Sequence, residues 1–183
     1  MASEAVADAP EAAREKPKDP VASIAGQVAN LSTGDRARLR RIYLTQSYEA
    51  DGVVVGLLHC AGVTVPEDAR AFAPWRLLAH VAALLSGTGG EQPHAPGRRL
   101  GTALQAAGYS ENRLLRLTAA RGEGLHDQIV RAARMLAQAG QAPVNLWSFL
   151  QLAGRDPDRA EEARIRIAQD YYAAQARSEG DSK

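Results

Sequence analysis

The stretch Gly122-Glu123-Gly124-Leu125-His126-Asp127-Gln128-Ile129-Val130-Arg131-Ala132-Ala133-Arg134-Met135-Leu136-Ala137-Gln138-Ala139-Gly140 decides the fold class. Leu125, Ile129, Ala133 and Leu136 recur at the three- and four-residue intervals that place side chains on one side of an α-helix. Asp127, Arg131, Arg134 and Gln138 fall on the other side. No alternation of apolar and polar residues competes with that period, and Gly140 marks the stop. Working back from it, Ser110 reads as the N-cap of a helix to about Ala120, with Leu114, Leu117 and Thr118 inward and Arg113 and Arg116 projecting together. Before that lies a helix from about Arg98 to Ala107, closed by Gly108. Working forward, Asn145 caps a short helix bearing Leu146, Trp147, Phe149 and Leu150, and Asp156-Pro157 opens a final helix to about Ala176.

The earlier part of the chain carries the same punctuation. From Val21 the pattern is helical, and Ser32 with Asp35 forms a capping box that opens a helix through about Leu44. Gly52 to Ala61 reads as an apolar helix ended by Gly62, and Pro74 as the first turn of a helix running to Leu85. β-branched residues cluster only at Val53-Val54-Val55 and Val63-Thr64-Val65, too briefly for a sheet. The expectation is an all-α bundle of about nine helices. Ser86-Gly87-Thr88-Gly89-Gly90 and the loop with Pro93 and Pro96 divide it into two helical halves, 20–90 and 91–177. Residues 1–19 read as a disordered leader and 178–183 as a polar tail.

Composition narrows the function classes. The 183 residues hold 22 Lys+Arg and 21 Asp+Glu, a net charge of +1, and are 45% hydrophobic and 5% aromatic. That excludes a histone-like polycation and a wholly disordered chain. The one cysteine, Cys60, cannot close an internal disulfide, which points to a reducing cytoplasmic compartment. No apolar run approaches the roughly 20 residues of a membrane span, and the N-terminus lacks the basic start and apolar stretch of a signal peptide, so no membrane partner is expected.

The neutral total hides an uneven distribution. Residues 1–30 hold 3 basic and 5 acidic groups, residues 31–155 hold 14 and 9, and residues 156–183 hold 5 and 7. All three lysines lie in the terminal segments, so every basic residue of the body is arginine, which grips phosphate in a bidentate fork and stacks on bases. A codon preference for Arg and Ala accounts for the composition equally well. Placement is more telling: Arg36 with Arg40, Arg38 with Arg41, Arg113 with Arg116 and Arg131 with Arg134 form pairs at helical spacing on three helices, with few acids beside them. Taken singly, each pair reads as a solvated helix face; taken together, they read as a phosphate track.

The segment Gly97-Arg98-Arg99-Leu100-Gly101-Thr102-Ala103-Leu104-Gln105-Ala106-Ala107-Gly108-Tyr109-Ser110-Glu111-Asn112-Arg113 resembles the LG-x-AL motif and following Glu/Arg-bearing helix of the CasB family, the small subunit of the type I-E CRISPR surveillance complex Cascade. The resemblance extends to the Arg-rich stretch from Leu31 to Arg41, to Arg131–Leu136, to Val144-Asn145-Leu146-Trp147 and to Asp170-Tyr171-Tyr172. It spans roughly residues 20 to 175, with 48–66 not aligning clearly. It implies an all-helical antiviral-defence protein without enzymatic activity, present as two copies beside the backbone subunits and the large subunit. Its basic surface would hold crRNA-paired target DNA and the displaced strand during R-loop formation, without sequence preference. Carried onto this chain, the nucleic-acid contacts implied are Arg40, Arg41, Arg98, Arg99, Arg113, Arg116, Arg131 and Arg134, with Arg121 added in the turn after the second Arg-bearing helix.

Catalysis has no comparable footing. His59 and Cys60 sit in an apolar run and read as core, and no carboxylate spacing orients His80, His94 or His126 as base or ligand. Asp156, Asp158, Glu161 and Glu162 suit a helix start, and no phosphate-binding loop, dinucleotide fingerprint or nucleophile elbow is present, so no cofactor or metal is expected. Trp75, Trp147 and Phe149 read as packing residues, and Tyr171-Tyr172 as an anchor for the core or for a neighbouring subunit. The competing readings are a helix-turn-helix transcription regulator built on the turn Gly108–Ser110, and a helical protein-interaction module whose arginines only solvate.

Overall fold

The computed structural model describes residues 19–42, 48–87 and 89–180. Residues 1–18 of the 1–19 leader and the residues around Tyr43 and Leu44 lie outside these, while Asp19, the last residue assigned to the leader, caps α1. Among the described residues the chain forms nine helices and no strand: α1 (Pro20–Asn30), α2 (Thr33–Arg41), α3 (Asp51–Cys60), α4 (Ala69–Leu85), α5 (Leu100–Ala106), α6 (Glu111–Ala119), α7 (Gly122–Gln138), α8 (Trp147–Ala153) and α9 (Pro157–Gly180). The all-α expectation holds.

Local chemistry accounts for most helix ends. Asp19 accepts from the amides of Val21 and Ala22 at 2.9 and 3.2 Å, Ser32 Oγ from Asp35 at 3.0 Å, and Asp156 from Asp158 and Arg159 at 3.1 Å each. Gly62, Gly108 and Gly140 close α3, α5 and α7 with φ of 71°, 72° and 63°. Three expectations need correction. Pro74 is not in the first turn of its helix, because Asp68 caps α4 through the Ala71 amide at 2.9 Å and places Pro74 inside it. The last helix runs through Gly180, so residues 178–180 are helical. His59 and Cys60 are exposed: α3 buries Val54, Leu57, Leu58 and Ala61, and that period turns residues 59 and 60 to solvent.

Two helices organise the packing. α4, buried on nearly every side, touches α1, α2, α3, α7 and α8; α9, about 36 Å long, touches α5, α6 and α8. One hydrophobic core runs from Val21 to Tyr171. The loop before α5 is pinned to the segment before α8 by a single parallel bridge, His94 to Val144.

α5 and α9 approach closely at Gly101. A Cβ there would sit 2.1 Å from the Ile167 carbonyl oxygen and 2.8 Å from Asp170 Cβ, so the backbones of α5 and α9 meet where only glycine fits. Arg99 pairs with Asp170 at 2.7 Å beside that contact. Gly101→Ala should therefore cost about 1–3 kcal/mol of unfolding free energy. Gly56→Ala, on the exposed face of α3 with nothing within 4 Å, should stabilise by about 0.5–1 kcal/mol. Urea unfolding followed by circular dichroism measures both.

Candidate nucleic-acid interface

α6 and α7 share one design. Burial of Leu114 and Leu117 sends Arg113 and Arg116 outward from α6; burial of Leu125, Ile129, Ala133 and Leu136 sends Arg131 and Arg134 outward from α7. The two helices pack together, and their outward faces meet. The four arginines, with Gln128 and Gln138, line one groove of about 380 Å³ whose other walls are Tyr109 and Met135. No carboxylate lines it. Among the described residues Arg116, Arg131 and Arg134 make no hydrogen bond or ion pair, and Arg113 only reaches Met135 Sδ at 3.2 Å. Four forked cations without a counter-ion make the groove a receptor for several anionic oxygens.

The floor of the groove is fixed by α9. Tyr109 is 3% exposed; its carbonyl accepts from the buried Tyr171 hydroxyl at 2.5 Å. Burial raises the Tyr109 phenol above its usual range, against the opposing pull of Arg113 and Arg131. Next door, the Tyr172 hydroxyl donates to Glu111 at 2.7 Å, which holds that carboxylate at the start of α6. Tyr171 and Tyr172 meet edge to face at 5.5 Å.

The other five arginines singled out in the sequence lie elsewhere, with protein partners. Arg40 donates to the carbonyls of Ala83 and Gly87 at the end of α4. Arg41 is exposed on α2. Arg98 donates to Gln141 at 2.6 Å, while Arg99 and Arg121 pair with Asp170 at 2.7 Å and Glu161 at 2.9 Å. Tyr109, Gln128 and Met135 were not singled out from the sequence as part of the site. Gln128, three residues before Arg131, carried a helical-spacing signal; Tyr109 and Met135 did not. Trp147 is half-buried and donates its indole N–H to Asp19, and Phe149 is buried, as packing residues. No group of His, Cys, Asp and Glu able to hold a metal occurs among the described residues, and no described helix is long and apolar enough to cross a membrane.

The sequence model for the family described as CRISPR-associated protein Cse2 matches residues 35–172, from the first turn of α2 to Tyr172 on α9. The chain belongs to the Cse2 (CasB) family of type I-E Cascade. No curated protein and no solved structure matches it. Membership makes the chain a subunit of a CRISPR Cascade complex and takes the place of the transcription-regulator reading. The matched region contains the whole arginine groove of this Cse2 chain and the Gly101 contact behind it.

Beneath α2, next to the groove helix α7, lies one buried titratable group. His80 is fully buried, its Nδ1–H donates to the Leu39 carbonyl at 2.6 Å, and its pKa is lowered to about 4. Burial is the main cause, opposed by the Leu39 carbonyl and reinforced by the charges of Arg134 and Arg76. Because the unfolded chain takes up a proton near pH 6.5 and the folded one only near 4, His80 contributes stability above pH 6.5 that is lost as pH falls toward 4. The loss amounts to at most about 3 kcal/mol. Denaturant titrations from pH 7 to 4 should show that decline, and His80→Gln should flatten it; an unchanged slope in the variant contradicts the assignment.

Proposed function

We propose that this Cse2 chain is a non-catalytic subunit that grips nucleic-acid phosphates in the α6–α7 groove, steadying the crRNA–target DNA R-loop and its displaced strand. The observation that carries the reading is the convergence of Arg113, Arg116, Arg131 and Arg134 on one groove without a carboxylate. An R-loop exchanges one duplex for another of similar stability, so backbone contacts that hold a strand can tip the balance. The groove offers charge and forked donors but no set of base-reading side chains, which suits binding indifferent to sequence. In this reading the chain acts in the cytoplasm, beside the large and backbone subunits and a second copy of itself.

The remaining arginines contribute unequally. Arg99 and Arg121 are 71% and 52% exposed, and ion pairs at such positions are worth only about 0–1 kcal/mol, so phosphate can displace their carboxylates. Arg40 is held by main-chain carbonyls, and Arg98 by the Gln141 side chain and the Ala142 carbonyl, so both serve the fold first. Arg41 lies on the same helix as Arg40, away from the groove.

Two measurements test the proposal. Filter binding of unrelated single- and double-stranded oligonucleotides should give similar weak affinities that fall with salt. Arg131→Ala with Arg134→Ala should make the log–log salt slope shallower by about 1.4 to 1.8, as expected for two lost phosphate contacts. The same double variant should weaken retention of target DNA by the assembled complex while its helical signal stays intact. Tight preference for one duplex, or an unchanged slope and retention, would defeat the reading.

A further inference from the structure

A cavity of about 530 Å³ opens between the start of α5, α8 and the middle of α9, and it shares no lining residue with the arginine groove. Its aliphatic lining is Leu100, Ala163 and Ile167, all buried. Beside them stands Trp147, which packs on the core yet stays half-buried. Its indole N–H donates to both Asp19 oxygens, at 3.1 and 3.2 Å, and that anchor fixes the ring. The polar lining divides into groups with protein partners and groups without. Asn145 donates to the Pro96 carbonyl at 3.1 Å and accepts from the Trp147 amide at 3.0 Å, and Arg99 is paired with Asp170 at 2.7 Å. Ser148 and Gln151, one turn apart on α8 and both half-buried, make no side-chain hydrogen bond among the described residues. Arg166, 57% exposed, has only Glu162 at 3.8 Å.

The unpaired groups and the apolar surface together select the ligand. An inorganic anion would satisfy Arg166 but leave the indole and the aliphatic lining uncovered. An aliphatic or phenyl group would cover that surface but leave Ser148 and Gln151 half-buried without partners. A flat heterocycle with a polar edge and an anionic substituent meets all three demands. We propose that this cavity is a binding site for one nucleotide, with its base against Trp147, its base edge at Ser148 and Gln151, and its phosphate at Arg166. A hydroxyl and a primary amide each donate and accept, and stacking on an indole tolerates any base, so the site takes purines and pyrimidines alike. A free nucleotide and an unpaired residue of a nucleic-acid strand present the same chemistry here. The site stands apart from the groove and does not depend on it.

The probe is AMP, titrated into the full chain carrying Trp75→Phe, which leaves Trp147 as its one tryptophan. The indole N–H signals of the unaltered chain, followed by NMR, give the same titration independently of how well that variant folds. AMP should quench the Trp147 fluorescence and shift its indole signal saturably. Inorganic phosphate, which lacks the ring, and phenyl phosphate, which lacks the polar edge, should each bind about tenfold more weakly or worse. Ser148→Ala with Gln151→Ala should weaken AMP binding about tenfold while circular dichroism stays that of the parent chain. A short oligodeoxyadenylate distinguishes the two sources. Quenching at about tenfold lower concentration than AMP, with that gain lost in Arg131→Ala with Arg134→Ala, assigns the site to a strand also held by the groove. AMP binding as tightly as the oligonucleotide assigns it to a free nucleotide. No saturable response to AMP, equal binding of phenyl phosphate, or unchanged AMP affinity in the Ser148/Gln151 double variant would each overturn the proposal. None of those results bears on the groove, which filter binding reads separately.

Discussion

The arginine groove depends on a contact that contains no arginine. Because Gly101 has no side chain, α5 can lie backbone to backbone on α9, and that approach sets where α9 runs. α9 in turn holds the groove from behind: Tyr171 hydrogen-bonds the Tyr109 carbonyl, Tyr172 holds Glu111, and Glu161 reaches Arg121 at the far end of α6. These contacts run in antiparallel order, Glu111 opposite Tyr172 and Ala120 opposite Arg164, so α6 is fixed along its whole length. Any side chain at Gly101 would push α9 away, and the tyrosine contacts that place Tyr109 and α6 would shift with it.

α7 then does two jobs with one period. Its inner stripe joins the core against α4, and its outer stripe supplies two cations and two glutamines to the groove. Most arginines of the body are neutralised by carboxylates or committed to carbonyls: Arg38 with Asp35, Arg76 with Asp51, Arg99 with Asp170, Arg40 with the end of α4. Such pairs add little stability at the surface but cancel the field. The four groove residues differ because no acid was placed within reach. The resulting concentration of positive charge is what a neutral chain can offer a polyanion: a local track, with the acidic terminal segments balancing the total.

How far the sequence disclosed this follows from what each feature depends on. Helix identities and most ends were legible because caps such as Ser32 and Asp156 and stops such as Gly108 and Gly140 act within a turn of themselves. Pro74 misled because the Asp68 cap outweighed the proline as a start signal, and Cys60 because a short apolar run does not reveal which of its faces is buried until Val54, Leu57 and Leu58 are packed. The pairs Arg113/Arg116 and Arg131/Arg134 were legible as helix faces; their convergence was not, since it is set by the packing of α6 on α7.

The most direct test of the account is a structure of the assembled Cascade complex on target DNA with this subunit in place. Backbone phosphate oxygens should lie within about 2.7–3.2 Å of guanidinium nitrogens of Arg113, Arg116, Arg131 and Arg134, with no base edge read by those side chains. A groove that faces solvent or is filled by another protein chain, while the nucleic acid follows a different surface, would contradict it.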